Sequence, residues 1–200
     1  MTVNCALETV YLSRHGETEW NVSRRRQGQS DSPLTPDGID QARAIAMIAS
    51  HLPIDRIFTS PLGRATATAV IAGHATGVPL EIVDDLAEVD HGQFAGLTND
   101  EIEARHPGVL AERAGQKYTW RFPMGESYHD ADTRAGRALE YMHAAGSRRP
   151  LLVTHEMVGL MVLRRLLDLT PEAALARSLP HGQVLEVVPS RTSVRVVRAR

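Results

Sequence analysis

Short apolar runs alternate with helix-length patterned stretches along this chain, and few folds accept that order. Residues 9–13 (TVYLS), 56–60 (RIFTS), 80–83 and 151–154 (LLVT) read as strands. Thr35 stands as an N-cap before Pro36 at the first helical position, and Ile39, Ala42, Ala46 and Ala49 mark that helix's expected inner face. A second, alanine-rich helix spans residues 62–75, with Gly77 as its stop and Pro79 beyond. Residues 98–101 (TNDE) match a capping box for a short helix ending near His106. Further helices are expected over 127–145 and over 157–167, the latter with Leu160, Leu163 and Leu167 inward. Residues 184–188 and 193–197 alternate about a Pro-Ser-Arg-Thr turn and read as a hairpin. The pattern predicts one α/β domain over residues 1–200: three layers, a mostly parallel sheet with an antiparallel edge, and helices on both faces. The hairpin edge would either join a homodimer or be covered within the monomer.

Composition removes several classes of function. With 42% apolar and 23% charged residues, 200 residues can bury a core. A net charge of −2 gives no global case for nucleic acid or an anionic membrane. No apolar run approaches the roughly 18 residues of a membrane span, and residues 1–9 lack the regions of a signal peptide. Cys5 is the only cysteine, which excludes disulfides within the chain and Cys-rich zinc sites. The expectation is a reducing, cytoplasmic setting, with Cys5 an inert thiol. Lys117 is the only lysine and follows Gln116, so a Walker A loop is excluded; the other 21 cations are arginines, which suit bidentate recognition of phosphate or carboxylate.

Three strand ends carry polar groups. The first ends in Arg14-His15-Gly16-Glu17, the second near Ser60-Pro61 with Arg64 one turn into its helix, and the run 151–154 in His155-Glu156. Open parallel sheets bind ligands at the carboxyl ends of their strands, so Arg14, His15, Arg64 and His155 are expected to converge. Two arginines and two imidazoles make an anion site. They suit a phosphomonoester, whose oxygens guanidinium forks can grip while a neutral imidazole attacks phosphorus.

These residues belong to longer blocks. Arg14-His15-Gly16-Glu17-Thr18 with Asn21 resembles the signature of the histidine phosphatase superfamily, the phosphoglycerate mutase-like fold. Gln27-Gly28-Gln29, then Pro33-Leu34-Thr35 with Gly38 and Gln41-Ala42, resembles its next block, and Ser60-Pro61-Leu62 with Arg64-Ala65 and Thr68-Ala69 its third. Residues 86–97 (LAEVDHGQFAGL) resemble the segment bearing its acid. Gly125-Glu126-Ser127 with Asp130 and Arg134, and finally Val153-Thr154-His155, complete the series in family order. The resemblance implies that His15 becomes phosphohistidine, that Arg14, Arg64 and His155 hold the phosphoryl oxygens, and that Glu88 is the general acid and then base. It implies further that Asn21 and Gln27 add polar contacts to the phosphate or the substrate; Gly28 and Glu156 are further candidates for binding, a short insertion at about 98–126 is expected over the site, and the cations leave no need for a metal or organic cofactor. Chemistry adds two expectations. The other nitrogen of His15 should donate to a backbone carbonyl, fixing the neutral tautomer, and His155 should serve better as a cation, which nearby arginines oppose.

The resemblance leaves alternatives. Asp90, two residues past Glu88, is the rival acid. Glu156 stands where the family usually has a small residue; it either points outward at a helix start or faces the pocket, sustaining the charge on His155 or meeting a cationic group of the substrate. His155-Glu156 is not a zinc motif, because Gly159 stands where a second histidine is required. Gly125-x-Ser127 is not a serine-hydrolase motif, because His129 stands where glycine is required. The run Arg24-Arg25-Arg26 is a solvated loop or the pocket mouth, and His91, Tyr118, Trp120, Phe122 and His181 line the leaving-group side or form a satellite core. The family's mutases carry a longer insertion and an Arg and a Tyr just after the acid. Val89, Asp90 and His91 stand there, which favours a phosphatase of small phosphorylated metabolites over a phosphoglycerate-type mutase or a non-catalytic phospholigand-binding protein.

Overall fold

The apolar runs assemble into one sheet. The computed structural model describes residues 7–197, so Cys5 and the first residues lie outside the described residues. In chain order the elements are β1 (Val10–Arg14), α1 (Glu19–Val22), α2 (Pro36–Ala49), β2 (Arg56–Thr59), α3 (Gly63–Thr76) and β3 (Leu80–Ile82). Short 3-10 turns at Asp84–Leu86 and Gly92–Phe94 lead to α4 (Asn99–Arg105), α5 (Val109–Gly115) and α6 (Tyr128–Ala144). Then follow β4 (Pro150–Thr154), α7 (Glu156–Leu167), α8 (Pro171–Leu175), β5 (Val184–Val188) and β6 (Ser193–Val197). The sheet order is β3-β2-β4-β1-β5-β6. The pairs β3–β2, β2–β4 and β4–β1 are parallel; β1–β5 and β5–β6 are antiparallel. This is the expected three-layer arrangement with its antiparallel edge.

Both faces of the central strands are covered, so their residues are apolar in both phases of the pleat. Tyr11, Ile57, Leu151 and Val153 meet α2 and α3 through Ile45, Ala49, Ala65 and Ala69. Val10, Leu12, Phe58 and Leu152 face the other way, onto α6 and α7 through Ala135, Leu139, Leu160 and Leu163. The chain leaves β1 for the α2–α3 layer and leaves β4 for the α6–α7 layer. Their adjacent carboxyl ends therefore form the crevice at which such sheets hold ligands. Among the described residues, no helix is long and apolar enough to cross a membrane.

Helix starts follow side-chain chemistry. Thr35, Thr98 and Ser127 each accept a hydrogen bond from the backbone at N3 of their helices, and the last two form full capping boxes. Gly77 ends α3 in the left-handed conformation. One expectation needs correction. Ile39 is 36% exposed, and the inner face of α2 is instead Gly38, Ala42, Ile45, Ala46, Ile48 and Ala49. Gly38, close enough to the Glu17 carbonyl to leave no room for a Cβ, lies on the buried face with Ala42, Ile45 and Ala49 at helical spacing, and Ile39, one residue further round the helix, falls outside it. Within the expected insertion, α5 is only two turns long, too short to show a period in the sequence.

The same contact constrains the first loop. A methyl group on Gly38 would run into the Glu17 carbonyl, and one on Gly16 into the Gly38 carbonyl. Neither partner is a flexible side chain, so overpacking here has no cheap relief. Gly38→Ala is expected to lower stability by about 2 kcal/mol in urea unfolding.

Candidate active site

His15 follows β1 directly and His155 follows β4. Parallel pairing aligns Arg14 with Thr154, and the His15 N–H donates to the Thr154 carbonyl at 3.0 Å. The two imidazoles therefore lie side by side, their centroids 5.2 Å apart. His15 Nδ1 donates to the Gly16 carbonyl at 2.7 Å, since a carbonyl can only accept. That leaves Nε2 unprotonated, accepting a hydrogen bond from Arg64 Nε at 3.3 Å. Burial, then Arg64 and Arg14, hold the His15 pKa well below the usual histidine value. His15 is neutral, with the expected tautomer.

Arg64, the second residue of α3, is buried and fixed from three sides. Its guanidinium donates to the Gly28 carbonyl (2.7 Å), the Ser30 carbonyl (2.7 Å) and Asp31 Oδ1 (3.0 Å). His155 is fully buried beneath these groups and shares a 2.7 Å hydrogen bond with the Ser60 hydroxyl through Nε2. Burial, Arg64, His15 and Arg14 push its pKa well below the usual value. The cationic form expected for His155 is therefore opposed by its surroundings; the desolvation cost of the charge is the largest cause.

Glu88 lies just past the Asp84–Leu86 turn, buried at the start of α7. Because His155 makes no side-chain cap, the Glu88 carboxylate takes that place. Oε1 accepts from the Val89 N–H at 2.9 Å and the Val158 N–H at 3.3 Å, and Oε2 from the Met157 N–H at 3.3 Å. Burial outweighs these bonds and the nearby Arg64 and Arg14, so the Glu88 pKa is raised. Arg134 steadies the segment by donating to the Asp85, Ala87 and Glu88 carbonyls while forking onto Glu126. Asp90 instead accepts from the Gly92 N–H at 2.8 Å, within a turn, and does not line the cavity.

These groups border a cavity of about 310 Å³. Of the residues singled out in the sequence, Arg14, His15, Asn21, Gln27, Gly28, Arg64, Glu88 and Glu156 line it, while His155 lies below the surface. The polar ends of Asn21 and Gln27 are largely committed to Thr18, although Gln27 Oε1 is buried without a partner. Glu156 does not point outward. It accepts a 2.9 Å bond from Arg14 Nη1, pairing with an arginine of the site rather than with His155. His181 Nδ1 donates to the His15 carbonyl at 2.6 Å and does not line the cavity.

The outer wall holds residues the sequence reading missed. Arg113, Lys117 and Tyr128 line it, together with Arg25, Arg26 and His91. Their signal was present but faint: the lone lysine stands one helical turn past an arginine, inside an otherwise aperiodic stretch. The arginine run divides. Arg24 is exposed, Arg25 pairs with Glu101 at 2.7 Å, and Arg26 binds the Asn99 amide oxygen. Trp120 and Phe122 pack with Phe94 and extend the main core that also holds Leu12 and Phe58, so they form no satellite core; Tyr118 packs against the same core and bonds Asp132.

Comparison with known proteins gives this geometry a context. A family model described as the histidine phosphatase superfamily (branch 1) matches residues 10–200. A protein of Cronobacter sakazakii named "Probable phosphoglycerate mutase GpmB" is 40% identical over 149 residues, covering 74% of this chain and 69% of that one. Among solved structures, a mycobacterial glucosyl-3-phosphoglycerate phosphatase matches with a TM-score of 0.81 at 30% identity, covering 96% of this chain and 98% of that one. The alpha-ribazole phosphatase from Shigella flexneri shares the fold, with a TM-score of 0.82 at 22% identity over 96% of each chain.

The Arg14–Glu156 pair sets a competition, because an incoming anion and the Glu156 carboxylate draw on the same guanidinium. Glu156→Gln keeps an acceptor for Arg14 and removes the charge. It is expected to tighten binding of inorganic phosphate about tenfold, ~1.4 kcal/mol, by titration calorimetry. Unchanged affinity would mean that Glu156 does not act on the anion.

Proposed function

The chain belongs to the histidine phosphatase superfamily, and on that premise we propose that it hydrolyses a small phosphomonoester through a phosphohistidine at His15. One observation carries the reading: a neutral His15 with Nδ1 fixed by a carbonyl and Nε2 unprotonated, set among Arg14, Arg64 and His155 and sharing its cavity with the raised-pKa acid Glu88. In the first step the Nε2 lone pair attacks phosphorus and the ester P–O bond breaks. Glu88, protonated, gives its proton to the departing alkoxide. In the second step the Glu88 carboxylate takes a proton from water, the hydroxide attacks phosphorus, and the P–N bond breaks to free His15 and phosphate. Arg14 and Arg64 hold the phosphoryl oxygens and meet the charge that develops on them. A phosphoryl dianion beside His155 raises its pKa, so the substrate itself favours the cationic form that burial opposes. These cations supply the charge that a metal ion supplies in other phosphoryl-transfer sites, so the scheme needs no cofactor.

A phosphoglycerate mutase is the second reading, favoured by the name of the Cronobacter relative at 40% identity. It uses the same first step but returns the phosphoryl group to an acceptor hydroxyl instead of water. Val89, Asp90 and His91 after the acid support the phosphatase reading.

The direct test is phosphate release from p-nitrophenyl phosphate and a metabolite panel in EDTA, comparing wild type with His15→Ala. Release by the wild type alone is expected. Equal release by both proteins would sink His15 as nucleophile. Conversion of 3- to 2-phosphoglycerate with a bisphosphate primer, without net phosphate release, would establish the mutase instead.

The pH profile has a determined sign. Attack needs neutral His15, whose lowered pKa keeps it neutral until well below pH 6.5. Leaving-group protonation needs protonated Glu88, and that form is lost as pH rises through its raised pKa. With an alkyl phosphate, kcat/KM is expected to peak on the acid side of neutrality and fall as pH rises. Glu88→Gln should remove the alkaline limb and cost about 10²–10⁴-fold on the alkyl ester, but far less on p-nitrophenyl phosphate, whose leaving group needs little help.

A further inference from the structure

His15 is joined to the rest of its loop through a glycine. Gly16 lies so close to the Gly38 carbonyl that a Cβ has no room there. Glycine also gives a chain its widest choice of backbone angles. Yet the carbonyl that holds His15 Nδ1 is that of Gly16, one residue beyond this free joint. The peptide plane between His15 and Gly16 therefore governs both the direction of the imidazole and the place of its anchor. The hydrogen bonds that fix this plane come from distant parts of the chain.

The plane is held on both sides. Its N–H, from Gly16, donates to Thr68 Oγ1 at 3.0 Å. Thr68 is fully buried in α3, and its own O–H is spent on the Arg64 carbonyl at 2.9 Å, which leaves Oγ1 as the acceptor. The carbonyl of the plane, from His15, accepts from His181 Nδ1 at 2.6 Å. His181 lies in the loop before β5, and the register of β5 on β1 delivers it there. Val184 pairs with Ser13, and the Ser13 hydroxyl donates to the Gln183 carbonyl at 2.7 Å. The His181 and His15 rings stand 5.3 Å apart, centroid to centroid. Burial, then Arg14, lower the His181 pKa against its bond to His15 and the carboxylates of Glu17 and Glu156. His181 is thus a neutral ring with its proton on Nδ1. Neither His181 nor Thr68 lines the cavity, so neither touches the phosphoryl group.

We infer that His181 and Thr68 are positioning residues for the nucleophile, clamping the His15–Gly16 peptide from opposite sides so that Nε2 is aimed before substrate arrives. This rests on the reading of His15 as the nucleophile, and it holds whether the phosphoryl group passes to water or to a hydroxyl. In-line attack tolerates little error, and a misplacement of about 1 Å can cost on the order of 10²-fold. Arg14, Arg64 and His155 carry the anion through contacts of their own. Loss of the clamp therefore weakens attack and spares anion binding.

Two pairs of variants separate the hydrogen bond from the bulk of the side chain. His181→Ala removes the donor, and His181→Asn restores one, because the amide nitrogen stands at the same remove from Cβ as Nδ1. Thr68→Val removes the acceptor at nearly constant volume, and Thr68→Ser keeps it. The readouts are kcat/KM on p-nitrophenyl phosphate, the inhibition constant of inorganic phosphate, and the His15 tautomer in the resting protein by nitrogen NMR. His181→Ala and Thr68→Val are each expected to lose about tenfold or more in kcat/KM, with phosphate inhibition within about threefold of wild type. In both, His15 should show a mixture of tautomers where wild type shows Nδ1–H alone. His181→Asn and Thr68→Ser should return kcat/KM to within about threefold of wild type. If Thr68→Val fails to fold, the His181 pair decides. Unchanged kcat/KM in His181→Ala, or an Asn variant as impaired as the Ala variant, overturns the clamp and leaves His15 as nucleophile. A loss of phosphate affinity equal to the loss in kcat/KM overturns it too, since the binding groups would then have moved. A wild type inactive on p-nitrophenyl phosphate overturns the nucleophile reading and the clamp's catalytic role together.

Discussion

Parallel pairing of β1 with β4 is the constraint on which the site depends. The strands end in register, with Arg14 opposite Thr154, so the residues that follow them are neighbours although 140 positions apart in sequence. Their chains then diverge to opposite layers, opening a crevice that neither strand could make alone. The Gly16–Gly38 contact closes the back of this crevice by letting α2 approach the His15 loop at backbone distance. Everything else in the site hangs on that frame: Arg64 is anchored by carbonyls of the Gly28–Ser30 loop, and Glu88 by the first turn of α7.

Electrostatics gives the frame its chemistry. Positive charge is crowded around two buried imidazoles, and burial and crowding both disfavour a proton on either ring. The same burial works in the opposite direction on Glu88, where it favours the protonated acid. One desolvated environment thus produces a neutral base and a retained acid side by side, the opposed pair that proton-coupled group transfer requires.

Local signals were legible where the chemistry is local. Thr35, Thr98, Ser127 and Gly77 marked helix ends because a cap depends on residues within one turn. Strands buried on both faces read as plain apolar runs. The inner face of α2 was misjudged at Ile39, because a glycine gives no apolar signal although Gly38 is the buried residue there, close against the Glu17 carbonyl. Helix α5 could not be placed within the expected insertion because two turns are too few to show a period, and the cavity residues Arg113 and Lys117 lie on and just past it.

From the sequence alone come the fold class, the order of the elements, the identity of the residues that gather at the strand ends, and the family. Each is written either in short-range patterning or in motifs whose order survives along the chain. Tertiary structure alone decided how those residues are charged and paired. The bond from Arg14 to Glu156 spans 142 positions, and the Glu88 carboxylate caps a helix some 70 positions later in the chain. Arg113 is left without an acid partner among the described residues, although acids are plentiful nearby in sequence. Hydrogen bonds and desolvation act over a few ångströms, and only the folded chain determines which groups come that close.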